Sequence, residues 1–590
     1  MSGWFALWHR EGQGGDLQIL AAILQALTPS GPDRQTLWQA ENLALGHTLL
    51  AIRPECPQPL TLDGEVYLTS SVRLDGAAQL RRDLGCGSGV TEPELLLRAY
   101  LAWGQACLER LQGDFAFAIW DGRQEMLWCG RDQLGVKPLY YAELGPLVVV
   151  STAIAPLRTH PAVSQRLNEE AIADFLLFDF NHNPHRTTFT DIQCLPGGHS
   201  LGVTCDRLTT RRYWTLPVPE SLRYRDPQQY LEAFHDHLKT AVGDRLPPDQ
   251  PAAILLSGGL DSGILAAIAQ DLNPGPLQAY TIGYQTLIPD TEPQYSRQTA
   301  QALQIPLQTL WADDAVPFTH KPASPEPSLD PTPQFTAMKY GLITQQSRVL
   351  LYGQGGDEGL RLSTVGEMLR GMPWHQVFGD LWACLFTHKL RPHWGTGLRA
   401  KLRQSSPDPW AGYPHWLAPA FAARVGAQER WQSIRQQRDP VIHPYRHRAY
   451  RSLLQPLWRL NFETSDPGYH GFPLEIPFPF LDLRLLDFLL AVPPLPWFVD
   501  KTLIRATLRT RYPQIPPTIS DRPKTPLAGH PILVWLQRGL NPWDIVGEEA
   551  MSNYLDLAQF QRAIPAQPVG IGEVWPLLRA VHLAQWLPIK

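Results

Sequence analysis

The sequence predicts an α/β protein: an α+β layered N-terminal domain, then a doubly wound parallel sheet closed by a helical C-terminal part. Three observations lead there. Residues 1–215 read as many short strands broken by turns, with few long helical patterns. Between residues 252 and 352, short unbroken apolar runs alternate with helical spacing, as expected of parallel strands buried on both faces. One such run, Ala252 to Leu256, stops at Ser257-Gly258-Gly259-Leu260-Asp261-Ser262 before Ile264, Leu265, Ala267 and Ile268 resume at helical spacing. That is strand, loop, helix.

In chain order, strands are expected at 115–121, 126–129 and 147–150, where aromatic and β-branched residues cluster. The clearest early helix runs from Leu95 to Leu111, with Leu96, Tyr100, Trp103, Cys107 and Leu111 on one face. A proline-bearing linker at 216–228 divides a domain at 1–215 from one at 229–590. Past it, Leu231, Phe234, Leu238 and Val242 mark a helix that ends by Pro247-Pro248. Further strands are expected at 278–283, 307–310 and 348–352, with a helix at 294–303. Ligands of such a sheet bind at the carboxyl ends of its strands. Residues 360–590 read as mostly helical, and 368–438 carries no landmark.

Composition narrows the functional classes. At 590 residues the chain is too long for one core, and 44% hydrophobic with 18% charged residues is globular. A net charge of −5 gives no global pull toward nucleic acid or an acidic membrane, so neither partner is expected. Seven scattered cysteines without a CxxC pair point to reduced thiols, and no apolar run reaches about 18 residues. A cytoplasmic protein is expected. The oligomeric state is not legible.

The glycine loop carries the first chemistry. Gly258 and Gly259 let backbone amides approach an anion, and Ser257 and Ser262 add hydroxyl donors at a helix N-terminus. It is a cradle for phosphate, though not the P-loop with its Gly-Lys-Ser/Thr. Ser257 to Ser262 resembles instead the pyrophosphate loop (PP-loop) of enzymes that split ATP between its α and β phosphates.

Upstream, Gly113-Asp114-Phe115-Ala116-Phe117-Ala118, then Gly130-Arg131-Asp132 with Gly135-Val136-Lys137-Pro138-Leu139-Tyr140-Tyr141, then Leu195-Pro196-Gly197-Gly198-His199 follow in order. With the loop, they make the chain similar to the asparagine synthetase family over nearly its whole length. The resemblance implies an Ntn-hydrolase-like, type 2 glutamine amidotransferase-like domain. After it comes an adenine nucleotide α-hydrolase, or PP-loop ATP pyrophosphatase, domain.

It also implies ATP and Mg²⁺. Gly353-Gln354-Gly355-Gly356-Asp357-Glu358 resembles the family's Gly-x-Gly-x-Asp-Glu segment. The nucleotide is therefore expected against Leu256, Ser257, Gly258, Gly259, Leu260, Asp261 and Ser262, against Ile282, and against Gly353, Gln354, Gly355 and Gly356. Asp261 and Asp357 would supply hard oxygen ligands to magnesium. Glu475 opens a segment close to the family's Glu-x-Arg-x-Pro-Phe-Leu-Asp, with Pro477 where arginine is usual, and is expected on the amine side as a base. Lys501, in a Lys-x-Leu-x-Arg segment, is the strongest catalytic candidate, as a donor to the α phosphate. Arg522 and Lys524 resemble a basic pair that steers pyrophosphate.

One departure matters most. Glutamine-dependent members carry a nucleophilic cysteine after the initiator methionine, whereas this chain begins Met1-Ser2-Gly3-Trp4. Leu49 stands near where an arginine would hold glutamine's carboxylate. An inactive glutaminase is expected, a processed Ser2 nucleophile being the alternative. The implied reaction is adenylation of a carboxylate and attack by an amine, forming an amide, AMP and pyrophosphate. Members lacking the cysteine resemble the macrolactam synthetases of lasso peptides or the β-lactam-forming synthetases, and peptide cyclisation is the leading expectation. A peptide or small-molecule substrate follows, and the cyclase reading brings with it a leader-peptide-binding or protease partner. Asparagine synthesis from ammonia or glutamine is the alternative, and a catalytically silent ATP-binding protein is a third reading.

Overall fold

A computed structural model describes residues 2–587 apart from 13–14, 55, 273–274, 388–389, 391–411, 437–442, 524–526 and 548. Its N-terminal strands are β1 (Ser2–His9), β2 (Arg34–Ala40), β3 (Leu43–Leu49), β4 (Leu60–Thr61), β5 (Val66–Leu74), β6 (Gly113–Asp121), β7 (Met126–Arg131), β8 (Tyr140–Leu144), β9 (Leu147–Ser151), β10 (Gln193–Cys194), β11 (His199–Val203) and β12 (Leu208–Arg212). They form two six-stranded sheets, ordered β10-β8-β9-β1-β3-β2 and β12-β11-β7-β6-β5-β4, with antiparallel pairing throughout.

Trp4, Ala6 and Trp8 of β1 pack against Ala116, Ala118 and Cys129 of the other sheet, and the Trp4 indole donates to the Ala116 carbonyl at 2.9 Å. Phe5 and Leu7 point the other way, into a helical layer. With both faces covered, β1 has no polar side to show, which is why it reads as an unbroken apolar run.

Helix α1 (Glu92–Trp103) covers the outer face of the second sheet through Leu96 and Tyr100. It is shorter than its pattern predicts: Gly104 takes φ +58, and the chain tightens into a 3₁₀ turn over Gly104–Glu109. The landmark motifs are braces. Arg131 donates to the carbonyls of Lys137, Gly135 and Leu195, and Asp132 accepts from the amides of Gly135, Val136 and Lys137.

The second part contains α2 (Pro227–Gly243), β13 (Ala252–Leu255), α3 (Leu260–Leu272), β14 (Leu277–Gly283), α4 (Glu292–Leu303), β15 (Leu307–Trp311), β16 (Leu350–Leu351), α5 (Trp374–Trp382), α6 (Thr502–Arg511) and α7 (Ile571–Trp586). Its four strands run parallel in the order β15-β14-β13-β16, so the winding reverses between β13 and β16. A crevice opens at such a reversal, and both glycine loops leave the sheet there. The fourth strand is shorter than its apolar run because only Leu350 and Leu351 join the ladder.

Helix α7 returns to the first part, where Leu577 and Val581 share a core with Phe5 and Leu20, and Arg579 holds Asp179 at 2.6 Å. Among the described residues no helix is long and apolar enough to cross a membrane.

A buried ion network joins the two parts. Arg73 pairs with Asp75 at 2.6 Å and Asp114 at 2.8 Å, while Arg245 reaches Asp482 at 2.8 Å and Asp75 at 3.5 Å. Arg484 adds Asp75 at 3.3 Å and Asp244 at 2.7 Å. Asp482, last residue of the Pro-Phe-Leu-Asp run, also caps the next helix by accepting the Arg484 amide. Burial works against the Asp75 and Asp482 carboxylates, but the surrounding arginines outweigh it and hold both below the usual carboxylate range.

Asp75→Ala leaves Arg73 with Asp114 and Arg245 with Asp482 as their remaining partners, an excess of buried positive charge beside Arg484, and is expected to cost about 3 kcal/mol, read as a lowered melting temperature. Because both carboxyls are depressed, their contribution is complete above about pH 4 and lost as pH falls further. Wild-type melting points should therefore drop more steeply on acidification than those of Asp75→Asn.

Candidate functional site

The first loop is shaped by close contacts. Leu256 is buried and donates to the Tyr280 carbonyl at 2.7 Å, ending the strand. Gly258 has φ +66, and a Cβ there would lie 2.8 Å from Tyr295 Cβ and 2.9 Å from the Glu292 carbonyl, so α4 leaves room for glycine alone. The serines do not both face outward as free donors. The Ser257 amide donates to Ser262 Oγ at 3.2 Å, and the two hydroxyls lie 3.1 Å apart, closing the loop on itself.

The second loop lies on top of Asp261. A Cβ on Gly356 would sit 2.8 Å from Asp261 Cγ, and one on Gly353 would sit 3.3 Å from Asp261 Cβ. Gly355, at φ +95, presses on Leu481, which ties this loop to the Pro-Phe-Leu-Asp run. Gln354 is half-buried beside it, and Asp357 enters the crevice from the short helix Gly356–Gly359.

Lys501 completes the arrangement. It precedes α6 with φ +57, next to Asp500 at φ +46, two successive non-glycine residues in the left-handed region. Its ammonium contacts Asp261 Oδ2 and lies 2.6 Å from Asp357 Oδ1. Burial alone would lower the amine's pKa, but the two aspartates outweigh that and raise it. The lysine is a fixed cation shared by two carboxylates.

These groups wall a cavity of about 960 Å³, which Glu292, Trp497 and Arg522 also line. Arg522 stacks on the Tyr295 ring at 3.7 Å and donates to the Gly258 carbonyl at 3.1 Å, so it braces the first loop. Arg505 spans the carbonyls of Asp500, Ser520 and Arg522, pinning the strained turn. Ile282 sits on β14 opposite Leu310, one strand over from the loop, and Lys524 lies outside the described residues.

Glu292 and Trp497 carried no motif. The first looks like an ordinary acidic residue in a helical first turn, and the second like core.

Asp261 and Asp357 already converge on one cationic nitrogen, so their oxygens fit a hard divalent ion. Among the described residues no group of three or more His, Cys, Asp or Glu could hold a metal alone. Mg²⁺ needs only one or two protein carboxylates when phosphate oxygens and water complete its shell.

Glu475 falls elsewhere. It runs beside the sheet edge, donating to the Arg348 carbonyl and accepting from the Leu350 amide, both at 2.8 Å. Its side chain is buried and does not wall this cavity. Burial pushes its pKa up, yet Lys137, Arg53 and Arg73 of the first part pull it below the usual value. It is thus held as a carboxylate among cations, and its pull on protons is weakened.

A second cavity, of about 440 Å³, lies in the first part against Ser2, Leu49, Arg53, Cys56 and Ser70. Ser2 pairs with Leu49 across the sheet, and its amide donates to Ser71 Oγ at 3.4 Å. Arg53 points away to the Asp244 carbonyl at 2.6 Å, and burial raises the Cys56 thiol above its ordinary pKa. Hydroxyls line this pocket, and its one thiol is not activated.

A family model described as "Glutamine amidotransferase domain" matches residues 1–214, and one described as "Asparagine synthase" matches residues 233–587. "Asparagine synthetase [glutamine-hydrolyzing] 3" of Bacillus subtilis is 27% identical over 45% of this chain and 45% of its own length. The corresponding synthetase 2 of that organism is 26% identical over 58% and 49%. "Amidase chyE" of Penicillium rubens is 25% identical over 56% and 52%. The chain spans about half the length of the curated relatives it matches.

Gly356→Ala forces a methyl against Asp261 and is expected to abolish the stabilisation by Mg-ATP in a thermal-shift measurement. Gly379→Ala, where a Cβ meets nothing within 4 Å, should leave it intact.

Proposed function

The chain belongs to the asparagine synthase family, and we propose that it joins a carboxylate to an amine with ATP, releasing AMP and pyrophosphate. The observation that carries this reading is the Lys501 ammonium held between Asp261 and Asp357 at the meeting of two glycine loops.

A free carboxylate is a poor electrophile, so one of its oxygens first attacks the α phosphorus and pyrophosphate departs. The amine then attacks the acyl carbon, loses a proton, and AMP leaves. The glycine loop receives the phosphates, and Lys501 neutralises charge that grows on the α phosphate and the departing pyrophosphate. Asp261 and Asp357 would hold Mg²⁺, which offsets the charge of the triphosphate. Without that cation the two carboxylates would repel the nucleotide. Glu475, held as a carboxylate among Lys137, Arg53 and Arg73 and outside the wall of this cavity, is assigned no contact with the amine.

Peptide macrolactam formation is the favoured substrate assignment. It rests on the pocket at Ser2, which offers a hydroxyl where glutamine hydrolysis needs a thiolate, with Leu49 in its wall. We assign that pocket no glutaminase activity. When carboxylate and amine belong to one substrate, no ammonia source is needed and the effective concentration is high. The names of the Bacillus relatives favour a second reading, asparagine formation from aspartate.

Purified protein with Mg-ATP should be offered linear peptides with internal Asp or Glu, aspartate with ammonium, and aspartate with glutamine, with AMP and products read by mass spectrometry. A peptide that loses one water as AMP forms is the expected result. Asparagine from ammonium but not glutamine would replace the cyclase with a synthetase. Lys501→Ala should lower AMP formation by about 100- to 1,000-fold whichever substrate is used.

A further inference from the structure

The helix His447–Leu453 and the turn after it face Arg361 and Glu367 across a cleft of about 490 Å³, and none of the residues that wall it belongs to the nucleotide cavity. His447 and Arg451 are four residues apart on that helix, as are Arg448 and Ser452, so neighbouring rows of one helix side line the cleft and Gln455 closes its end.

The chemistry of the walls is one-sided. Three guanidiniums, an imidazole, a hydroxyl and an amide meet a single carboxylate. That carboxylate is already engaged: Glu367 Oε2 accepts from the Thr364 amide at 2.8 Å in a capping box, and Arg448 reaches it at 2.9 Å. Among the described residues, the Arg361 guanidinium makes no hydrogen bond or ion pair, and the buried Nδ1 of His447 has no hydrogen-bond partner. An oxyanion with several acceptor oxygens answers such a set of donors. None of the lining residues is apolar, whereas a peptide or a lipid would need apolar anchors. The volume is that of a small-molecule site.

The floor of the cleft is fixed in advance. Arg361 follows the helix Gly356–Gly359, which carries Asp357. Arg446, buried and next to His447, donates to the carbonyls of Gly359 at 2.6 Å and Arg361 at 3.0 Å and lies on the Phe498 ring at 3.3 Å. This clamp holds the two walls together, so little ordering is left for a ligand to impose. We propose that the cleft binds the phosphate group of a small hydrophilic molecule, as a second anion site outside the nucleotide cavity.

Isothermal titration calorimetry of the full chain with inorganic phosphate tests this, after saturation with Mg²⁺ and α,β-methylene-ATP so that the glycine loop is already occupied. One equivalent of phosphate is expected to bind, more weakly as salt is raised. R361S should weaken binding at least about tenfold, and R361K, which keeps the charge but not the fork, should fall between. Arg361 is exposed, so both variants should keep the wild-type melting temperature and Mg-ATP stabilisation. A titration with glycerol 3-phosphate separates the two sources of the group: tighter binding than inorganic phosphate assigns the site to an ester, and weaker binding assigns it to the free ion. No phosphate uptake by the loaded wild type at low salt would overturn the proposal. So would unchanged binding by R361S, or displacement of phosphate by a polyglutamate peptide at lower concentration than by glycerol 3-phosphate, which would make the cleft a peptide-docking site. A protein that failed to take the nucleotide analogue would still report on the cleft through R361S, so the outcome is independent of the reaction proposed above.

Discussion

One lysine between two aspartates organises the parallel-sheet half of this protein. Asp261 begins α3, Asp357 follows the fourth strand, and Lys501 stands at the head of α6, 240 residues from the first of them. Two like charges brought together in a half-buried crevice would repel, and the ammonium makes their approach favourable. The rest of the site accommodates that meeting. Gly353 and Gly356 lack side chains because the second loop must lie directly on Asp261, and the left-handed backbone at Asp500 and Lys501 aims the amine inward. Arg505 holds that turn by three carbonyl contacts, so the strain is confined to a place the fold supports.

The same preference for buried, paired charge governs how the two parts of the chain fit. Arg73, Asp75 and Asp114 come from the sheet sandwich and its flank, while Arg245, Asp482 and Arg484 come from the parallel-sheet part. Such a network adds little stability over an apolar interface of equal shape, but it tolerates no displaced partner, and so it sets the register of the two halves. Glu475 belongs to this interior, among Lys137, Arg53 and Arg73. Its place joins Arg53, in the wall of the pocket at Ser2, to the edge of the parallel sheet through charge.

Much of this was legible in the chain. The strands expected at 115–121, 126–129 and 147–150 form as 113–121, 126–131 and 147–151, and they, like the alternation from β13 to β15, follow from residues whose neighbours in sequence share their environment. Helix α1 was visible but its end was not, since Gly104 turns the chain where apolar spacing continues. The loop glycines are expected from the sequence to bring backbone amides close to an anion. What they approach was different: Gly258 is crowded by α4 rather than by a ligand alone, and the serine hydroxyls serve each other.

The sequence by itself determined the class of the fold and the two glycine loops, and it named Asp261, Asp357 and Lys501 as candidates. These are written in short runs whose geometry depends on local backbone freedom. Only the tertiary structure decided that the two aspartates would share the Lys501 ammonium, and that Glu475 would be buried away from the cavity. It also decided that Arg245 would find Asp482 237 residues away, and that Arg361 would face the helix at His447 across one cleft. Charge pairing and exposure are properties of what surrounds a side chain, and that is known only once the distant segments have met.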